Sequence, residues 1–234
     1  MNQLLHDIDF VAGTVLSFDK PLDWTSFDVV NKVRCMICKK LKIKKLKVGH
    51  AGTLDPKATG LVLVCTGKAT KSIESLQAEE KEYVATIKLG ATTPSFDLET
   101  DEDKTFSTEQ ITREMVEEKV QSFIGEIDQV PPVFSAIKVN GKRAFDFARG
   151  GKELDLEARK IVIREIEILK FEKPELILRV VCGKGTYIRS LARDLGESLN
   201  SGAYLTGLIR TKTGTNRLED AWTIGNFEKY LAEM

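Results

Sequence analysis

A glycine-rich stretch at residues 47–60, followed directly by the apolar run at 61–65, constrains the fold more than any other part of the sequence. The apolar run predicts a buried strand, and three glycines before it permit backbone conformations that other residues rarely adopt. Pro56 restricts the preceding residue to extended or turn geometry, so we expect the carboxylate of Asp55 to project from a stiff loop. An ordinary surface turn with a solvated aspartate is the alternative, and this stretch alone leaves it open.

The remaining sequence contains more strand patterns than helix patterns, in an irregular order. Alternating or continuous apolar residues predict strands at 13–21, 61–65, 83–90, 161–171, 176–182 and 203–210. Helical spacing predicts helices near 29–41, 108–124, 188–199 and 227–232, with a short helix or turn at 68–78. Asn140-Gly141 is a strong signal for a two-residue hairpin turn. This order favours a mixed α+β sheet over a regular βαβ array.

Charge is unevenly distributed, although the formal net charge is zero. Basic residues are concentrated between residues 32 and 47, whereas acidic residues cluster at 79–80, 97–103 and 109–118. Such asymmetry predicts a basic face that meets a polyanion. A solvated, lysine-rich helix end is the alternative that stays open. The basic residues that occupy one span without any acidic neighbour are Lys32, Arg34, Lys39, Lys40, Lys42, Lys44, Lys45 and Lys47.

Several classes of protein are disfavoured by what the sequence lacks. Cys35 and Cys38 form a CxxC, but no second pair or histidine cluster completes a metal site. We expect both to be buried or half-buried thiols within a helix. No run of eighteen apolar residues and no basic, apolar leader occurs, so we expect no membrane span and a cytoplasmic location. Neither a phosphate-binding loop nor a GxSxG motif is complete.

One aspartate, two tyrosines and one arginine stand out as candidates for chemistry. A buried carboxylate needs a partner, and Arg189 at the start of a predicted helix would keep Asp55 ionised and oriented. Such a pair suits a metal-free nucleophilic or general-base carboxylate. The residues also allow a structural interpretation, in which Tyr83 and Tyr187 are core aromatics and the arginine is a surface charge.

Residues 49–61, Gly-His-Ala-Gly-Thr-Leu-Asp-Pro-Lys-Ala-Thr-Gly-Leu, resemble the signature of the TruB family of tRNA pseudouridine synthases. The resemblance extends from about residue 13 to residue 211. Six motifs in the same order are far more specific than any single pattern. The other five lie at 19–26, 81–85, 131–138, 141–145 and 185–196.

The resemblance implies a pseudouridine synthase fold of the α+β class. Its central sheet would be mixed and mostly antiparallel, flanked by helices and loops, with an active-site cleft across the sheet. We expect a single catalytic domain over residues 1–234, with an RNA-contacting hairpin insertion at 129–153. Because the sequence as given ends soon after the last motif, we expect no C-terminal PUA-like RNA-binding domain.

The implied activity is isomerisation of the T-loop uridine at position 55 of tRNA to pseudouridine, by base flipping and aspartate-dependent rearrangement at C1′. Asp55 aligns with the family's catalytic aspartate, Tyr83 with the tyrosine that stacks on the target base, and Arg189 with the arginine that pairs with the carboxylate. Ile209 departs from the family pattern, which often has an arginine there. The implied substrate-binding residues are His50, Tyr187 and Leu208, together with Lys138 and Arg143 in a basic hairpin that also carries Lys142 and Arg149.

The expected partner is the T stem-loop of tRNA, and we expect no cofactor, no metal and a monomer. The lysine-rich span and the hairpin would contact phosphates. Two other functions stay open at this point. The chain could be a tRNA-folding chaperone that binds RNA without chemistry, or a pseudouridine synthase that acts on another RNA.

Overall fold

The computed structural model describes residues 8–135, 137–139, 141–144, 147, 154 and 156–234. The described chain combines five α-helices with mostly antiparallel strands, so the prediction of an α+β fold is confirmed. Two compact units are distinguished: one combines Met1–Glu82 with Ile209–Met234, and the other is Tyr83–Leu208. The single catalytic domain stays a prediction.

The elements of secondary structure follow one another irregularly along the chain. Their strands are β1 (Val15–Lys20), β2 (Val48–Ala51), β3 (Thr59–Thr66), β4 (Lys81–Leu89), β5 (Ala91–Thr92), β6 (Lys104–Thr105), β7 (Gly125–Gln129), β8 (Lys138–Val139), β9 (Lys142–Arg143), β10 (Arg159–Glu172), β11 (Glu175–Cys182), β12 (Ala203–Thr213) and β13 (Asn216–Arg217). Their helices are α1 (Ser26–Leu41), α2 (Ile73–Ala78), α3 (Arg113–Ser122), α4 (Ile188–Ser198) and α5 (Ile224–Glu233), with 3₁₀ turns at Gly67–Ser72 and Leu218–Asp220.

Strand β3 is the centre of the first unit. It pairs antiparallel with β1 and with β2, and parallel with β12, where Ile209 and Arg210 lie opposite Thr59 and Gly60. The five residues of its apolar run are completely buried. A strand with neighbours on both edges and covered faces is expected to be continuously apolar. The predicted buried strand is therefore confirmed.

Helix α1 packs its apolar stripe inward and leaves its basic residues outside. Thr25 caps the first turn in a capping box with Asp28, which satisfies backbone N–H groups that have no partner within the helix. None of the eight basic residues between 32 and 47 is buried, as predicted. Cys35 corrects the expectation for the CxxC, because its thiol is exposed while Cys38 is half-buried. The buried face passes through Val33 and Ile37, so Cys35 points away from it.

The second unit contains the order β12-β4-β11-β10-β7, and strands β12 and β4 each contribute residues to both units. Strand β4 alternates between buried and half-buried residues, as its sequence pattern predicts. Helix α3 begins at Arg113, later than predicted, because Thr112 accepts a hydrogen bond from Met115 N and caps the first turn. Strand β7 was not predicted. It begins at Gly125, which has a φ of +114°.

Candidate active site

Asp55 lies in the connection between the antiparallel strands β2 and β3. The loop turns tightly there, since Ala58 N donates to Asp55 O at 3.1 Å. Leu54 and Ala58 are buried, whereas Asp55 itself is only partly covered. The loop therefore packs Leu54 and Ala58 inward and leaves Asp55 partly exposed.

A buried arginine fixes both ends of this loop. Arg210, on β12, is 1% exposed; its Nε donates to Leu61 O at 2.6 Å and its Nη2 to Gly52 O at 3.1 Å. A planar guanidinium holds several donors in a fixed geometry, so it can join two carbonyl groups rigidly. Gly60 lets the chains approach here, because a Cβ at this residue would lie 2.4 Å from Arg210 O.

A second buried anchor joins the loop to the start of α1. Leu54 N donates to Ser26 Oγ at 2.8 Å, and the same hydroxyl donates to Leu54 O at 3.3 Å. Asp23 N donates to Pro56 O at 2.9 Å. Leu54, before Asp55, is thus bonded to the first residue of α1, and Pro56, after it, to the segment that links β1 to α1. This leaves Asp55 little freedom to change position.

Lys20 places a buried ammonium group under the loop. The side chain is fully buried, and its Nζ donates to Trp24 O at 2.6 Å, Pro21 O at 3.0 Å and Pro56 O at 3.4 Å. Burial lowers the pKa of Lys20 to about 8, and the negative charge of Asp55 is the strongest influence in the opposite direction. A cation in this position favours the ionised form of the carboxylate.

His50 lies on β2, a strand that the sequence did not predict. Burial lowers the pKa of His50, a backbone hydrogen bond at Gly52 acts against this, and the charge of Arg210 lowers it further. The imidazole is therefore neutral at neutral pH. A neutral ring next to the loop is suited to contact an uncharged base rather than a phosphate.

The other candidate residues belong to the second unit. Tyr83 is on β4 and is 8% exposed. Tyr187 precedes α4, and the side-chain amide of Gln129 bonds to both of its backbone groups. Tyr187 N donates to Gln129 Oε1 at 2.8 Å, and Gln129 Nε2 donates to Tyr187 O at 3.1 Å. Leu208 is on β12 and half-buried. Asp55 belongs to the first unit, so its approach to these residues stays a prediction.

Arg189, in the first turn of α4, is buried in a polar cluster of the second unit. It pairs with Asp97 at 3.6 Å, and it donates to Ser95 O at 3.2 Å and to Phe134 O at 2.8 Å. The interpretation of this arginine as a surface charge is therefore wrong. Its predicted pairing with Asp55 would involve the other unit and stays a prediction.

The basic hairpin is present as a pair of short strands. Lys138 lies opposite Arg143 and Val139 opposite Lys142 in the register of β8 and β9. Gly141, the second residue of the predicted turn, has a φ of +82°. The side chains of these paired residues lie outside what the structure describes, as does Arg149. Their contacts with phosphate stay a prediction.

Neither a metal site nor a membrane span is found in the described part of the chain. Its His, Cys, Asp and Glu side chains form no group of three or more that could hold a metal ion. Each of its helices is too short or too polar to cross a bilayer. Within the first unit, Lys20, Ser26 and Arg210 donate hydrogen bonds to the backbone of the Asp55 loop, and His50 lies on the strand that precedes it.

Sequence reasoning missed the anchors Lys20, Ser26 and Arg210 and the partner Asp97. One signal was available for Lys20: it shares a strand face with Leu16 and Phe18, so the alternation places its ammonium inside. The other three act across long stretches of sequence, and no local pattern indicates them.

Comparison with known proteins gives consistent matches along the chain. Residues 39–188 match the family model described as TruB family pseudouridylate synthase (N terminal domain). A protein of Phocaeicola vulgatus named tRNA pseudouridine synthase B is 62% identical over 224 residues, which cover 96% of this chain and 95% of that protein. The protein of the same name from Flavobacterium johnsoniae is 53% identical, with 95% of this chain and 98% of that protein covered.

Solved structures show the same similarity. A crystal structure of a Cbf5-Nop10-Gar1 complex contains a chain that matches 94% of this one with 30% identity and a TM-score of 0.69. A structure of an H/ACA RNP bound to a substrate RNA containing 2′-deoxyuridine matches 94% of this chain with 29% identity and a TM-score of 0.67. The present chain spans 55% and 54% of those longer chains.

Proposed function

This chain belongs to the TruB family of pseudouridylate synthases, and we propose that it isomerises the T-loop uridine at position 55 of tRNA, with Asp55 as the catalytic carboxylate. Isomerisation of uridine to pseudouridine in tRNA is the activity that its relatives' names support. The position of the uridine and the roles of individual residues are the proposed part.

The observation that carries the assignment of Asp55 is the way its loop is held. Asp55 is partly exposed, yet the backbone on both sides of it is bonded to the buried groups of Ser26, Lys20 and Arg210. A group that must meet one carbon atom of a substrate gains rate from being held in place, because little freedom is lost on reaction. An ordinary surface turn has no need of three buried polar anchors.

The reaction needs no co-substrate, because uridine and pseudouridine contain the same atoms. The bond from N1 to C1′ breaks, the uracil turns over, and a bond from C5 to C1′ forms, while C5 loses a proton and N1 gains one. Asp55 serves the steps at C1′, and the ammonium of Lys20 supports its ionised form.

The substrate base must leave the stack of the T loop before it can reach the carboxylate. Extruding a base costs a few kcal/mol, and stacking on an aromatic ring returns roughly 1–3 kcal/mol. Tyr83 is proposed as that ring, with Tyr187 and Leu208 as further walls of the base pocket. His50 holds the loop around the extruded nucleotide, and Arg189 orients the catalytic carboxylate.

Phosphate contacts are proposed for two basic segments. The first is the span from Lys32 to Lys47, in which no basic side chain is buried. The second is the hairpin with Lys138 and Arg143. Contacts to phosphate position an RNA without reading its sequence. The T stem-loop is therefore held by these two segments, and the choice of uridine is left to the base pocket.

The test is to incubate the purified protein with an unmodified T-arm stem-loop and to map pseudouridine. Product is expected at the T-loop uridine, and Asp55→Asn is expected to lower its rate at least about a thousandfold while RNA binding is retained. Asp220→Asn is the matched control. Asp220 is exposed, lies in the 3₁₀ turn Leu218–Asp220 and makes none of the hydrogen bonds described above at the Asp55 loop.

Three results would contradict the proposal in different ways. Binding without product in the unmutated protein would indicate an RNA chaperone. Product in another RNA but not in the stem-loop would indicate a different substrate. Equal losses of activity in Asp55→Asn and Asp220→Asn would remove Asp55 from the catalytic role.

A further inference from the structure

A basic groove lies beside the C-terminal half of α1, and two thiols line it. Its volume is about 590 Å³. No acidic residue occurs in the sequence between Asp28 and Asp55, so this part of the chain is a continuous source of positive charge. The groove is lined by four cations and two cysteines: Arg34, Lys44, Lys45, Lys47, Cys35 and Cys38.

The four cations of the basic groove are free to attract an anion. Arg34 donates to Asn31 Oδ1, a neutral partner, at 2.6 Å. Across the described residues none of the four cations forms an ion pair. A concave surface lined by one sign of charge raises the local concentration of oppositely charged solutes. The groove is therefore a site for anionic molecules.

The two thiols differ sharply from the other cysteines of the chain. Cys35 is exposed and Cys38 half-buried, whereas Cys65 and Cys182 are buried. Residues three apart on a helix lie on the same face, so both thiols of the CxxC face the same groove. An anionic reagent drawn in by the four cations arrives next to an accessible sulfur atom.

We propose that the basic groove is a modification site at which an anionic low-molecular-weight disulfide forms a mixed disulfide with Cys35, in competition with the RNA backbone. The competition rests on the proposed function, and the modification itself does not. The Cys35 sulfur, having lost its proton to solvent, attacks one sulfur of the reagent. A sulfur–sulfur bond to Cys35 forms, the bond within the reagent breaks, and the other half leaves as a thiolate with the electron pair.

The mixed disulfide changes what the groove presents to RNA. A carboxylate-bearing group now occupies the space between Lys44, Lys45 and Lys47 and offsets part of their charge. Each phosphate contact that is lost reduces both affinity and its dependence on salt. Modification therefore weakens RNA binding without altering the loop around Asp55.

The first experiment compares two disulfide probes on the full chain in a Cys38→Ser background. Dithiobis(nitrobenzoate) is anionic and dithiodipyridine is neutral. Relative to a free thiol, the anionic probe is expected to react with Cys35 at least about tenfold faster than the neutral one, with the advantage falling as salt rises. Mass spectrometry identifies which cysteine carries the label. Because Cys65 and Cys182 are buried, their staying unlabelled shows that the protein remains folded.

Two variants separate the groove from general surface charge. Lys44→Gln together with Lys45→Gln is expected to bring the ratio of the two rates toward that of the free thiol. Lys229→Gln removes an exposed lysine of α5 and is expected to leave it unchanged. Equal preference for the probes in the unmutated groove, or preferential labelling of Cys65 or Cys182, would overturn the modification site.

The second experiment adds an unmodified T-arm stem-loop. RNA is expected to slow labelling of Cys35, and the labelled protein is expected to bind RNA several-fold more weakly, an effect that Cys35→Ser abolishes. If RNA is converted to pseudouridine but gives no protection, the competition is wrong. If no pseudouridine forms while the anionic preference persists, the proposed function fails and the modification site stands.

Discussion

The Asp55 loop and the basic groove occupy the same unit and neighbouring stretches of sequence, yet they are built in opposite ways. The loop is fixed by buried side chains that bond to backbone atoms, as Arg210 does at Gly52 and Leu61. The groove consists of cations that are at least partly exposed and, within the described residues, form no ion pairs. The geometry of the loop depends on individual hydrogen bonds, whereas the attraction of the groove for anions depends on the sum of several charges.

This difference teaches how each region should respond to change. Losing one buried bond leaves a polar atom without a partner, which costs about 1–3 kcal/mol. Losing one exposed charge among several weakens a screened attraction by a fraction of its total. Single substitutions should therefore disrupt the loop abruptly and the groove gradually.

The largest effect is expected for Arg210→Met. The change removes both hydrogen bonds to the ends of the loop and leaves Gly52 O and Leu61 O without this donor, so the free energy of unfolding should fall by about 2–5 kcal/mol. Urea denaturation measures the loss. Arg217→Met is the control. Arg217 is exposed, and its ion pair with Glu219, at 3.6 Å, contributes little to stability because water screens it. A similar loss in both variants would show that the two buried hydrogen bonds of Arg210 contribute nothing beyond an exposed arginine.

Gly60→Ala should come next. An added Cβ would lie 2.4 Å from Arg210 O at a residue whose φ is +99°, so backbone strain and overlap combine. We expect a loss of about 2–4 kcal/mol in the free energy of unfolding. Gly125→Ala tests strain alone, since Gly125 has a φ of +114° with nothing within 4 Å of the added Cβ. Equal losses would mean that the close approach at Gly60 is unimportant.

Lys45→Glu should have a moderate effect of a different kind. RNA affinity is expected to fall by about tenfold at low salt, and the salt dependence of binding to become shallower, since a phosphate contact is lost. Thermal stability should hardly change. Lys229→Glu places the same charge change on α5, which contributes no residue to the lining of the groove. Binding curves for both variants at several salt concentrations decide whether the groove contacts RNA.

The smallest effect is the rise in stability with pH that Lys20 contributes just above neutral pH. Its folded-state pKa of about 8 is below the ordinary 10.5, so between these values the unfolded chain binds more protons. The free energy of unfolding should therefore rise with pH in this window, by at most about 1.4 kcal/mol per pH unit. Lys20→Met should lack this rise, and Lys229→Met should keep it. Urea denaturation at pH 7 and at a pH above 8 measures the rise. An equal rise in the free energy of unfolding of Lys20→Met would contradict the prediction.

Prediction from sequence succeeded where the physical cause is local. The alternation in β4, the apolar run of β3 and the capped stripe of α1 are each encoded by neighbouring residues. Strand β2 was missed because its Gly49 and His50 are half-buried and give no clear alternation. Its partner β3 determines its conformation, and pairing of this kind leaves no trace in a short sequence window.

The candidate site shows the same limit more clearly. The stiffness around Asp55 follows from Pro56, but its anchors come from distant parts of the chain. Arg210 is 149 residues from Leu61, to which it donates. Lys20 alone carried a signal, because a lysine on the inward face of a strand is rare enough to require a reason. The family resemblance identified the candidate residues, and the structure added what holds the loop.

The return of the chain to the first unit at Ile209 has a consequence for synthesis. Arg210 must leave the ribosome before the guanidinium can join Gly52 to Leu61, so the nascent chain displays Asp55 long before its loop is fastened. The whole of the second unit is translated in between. The order of translation thus delays the two hydrogen bonds of Arg210 to the Asp55 loop until both segments proposed to contact RNA have been made.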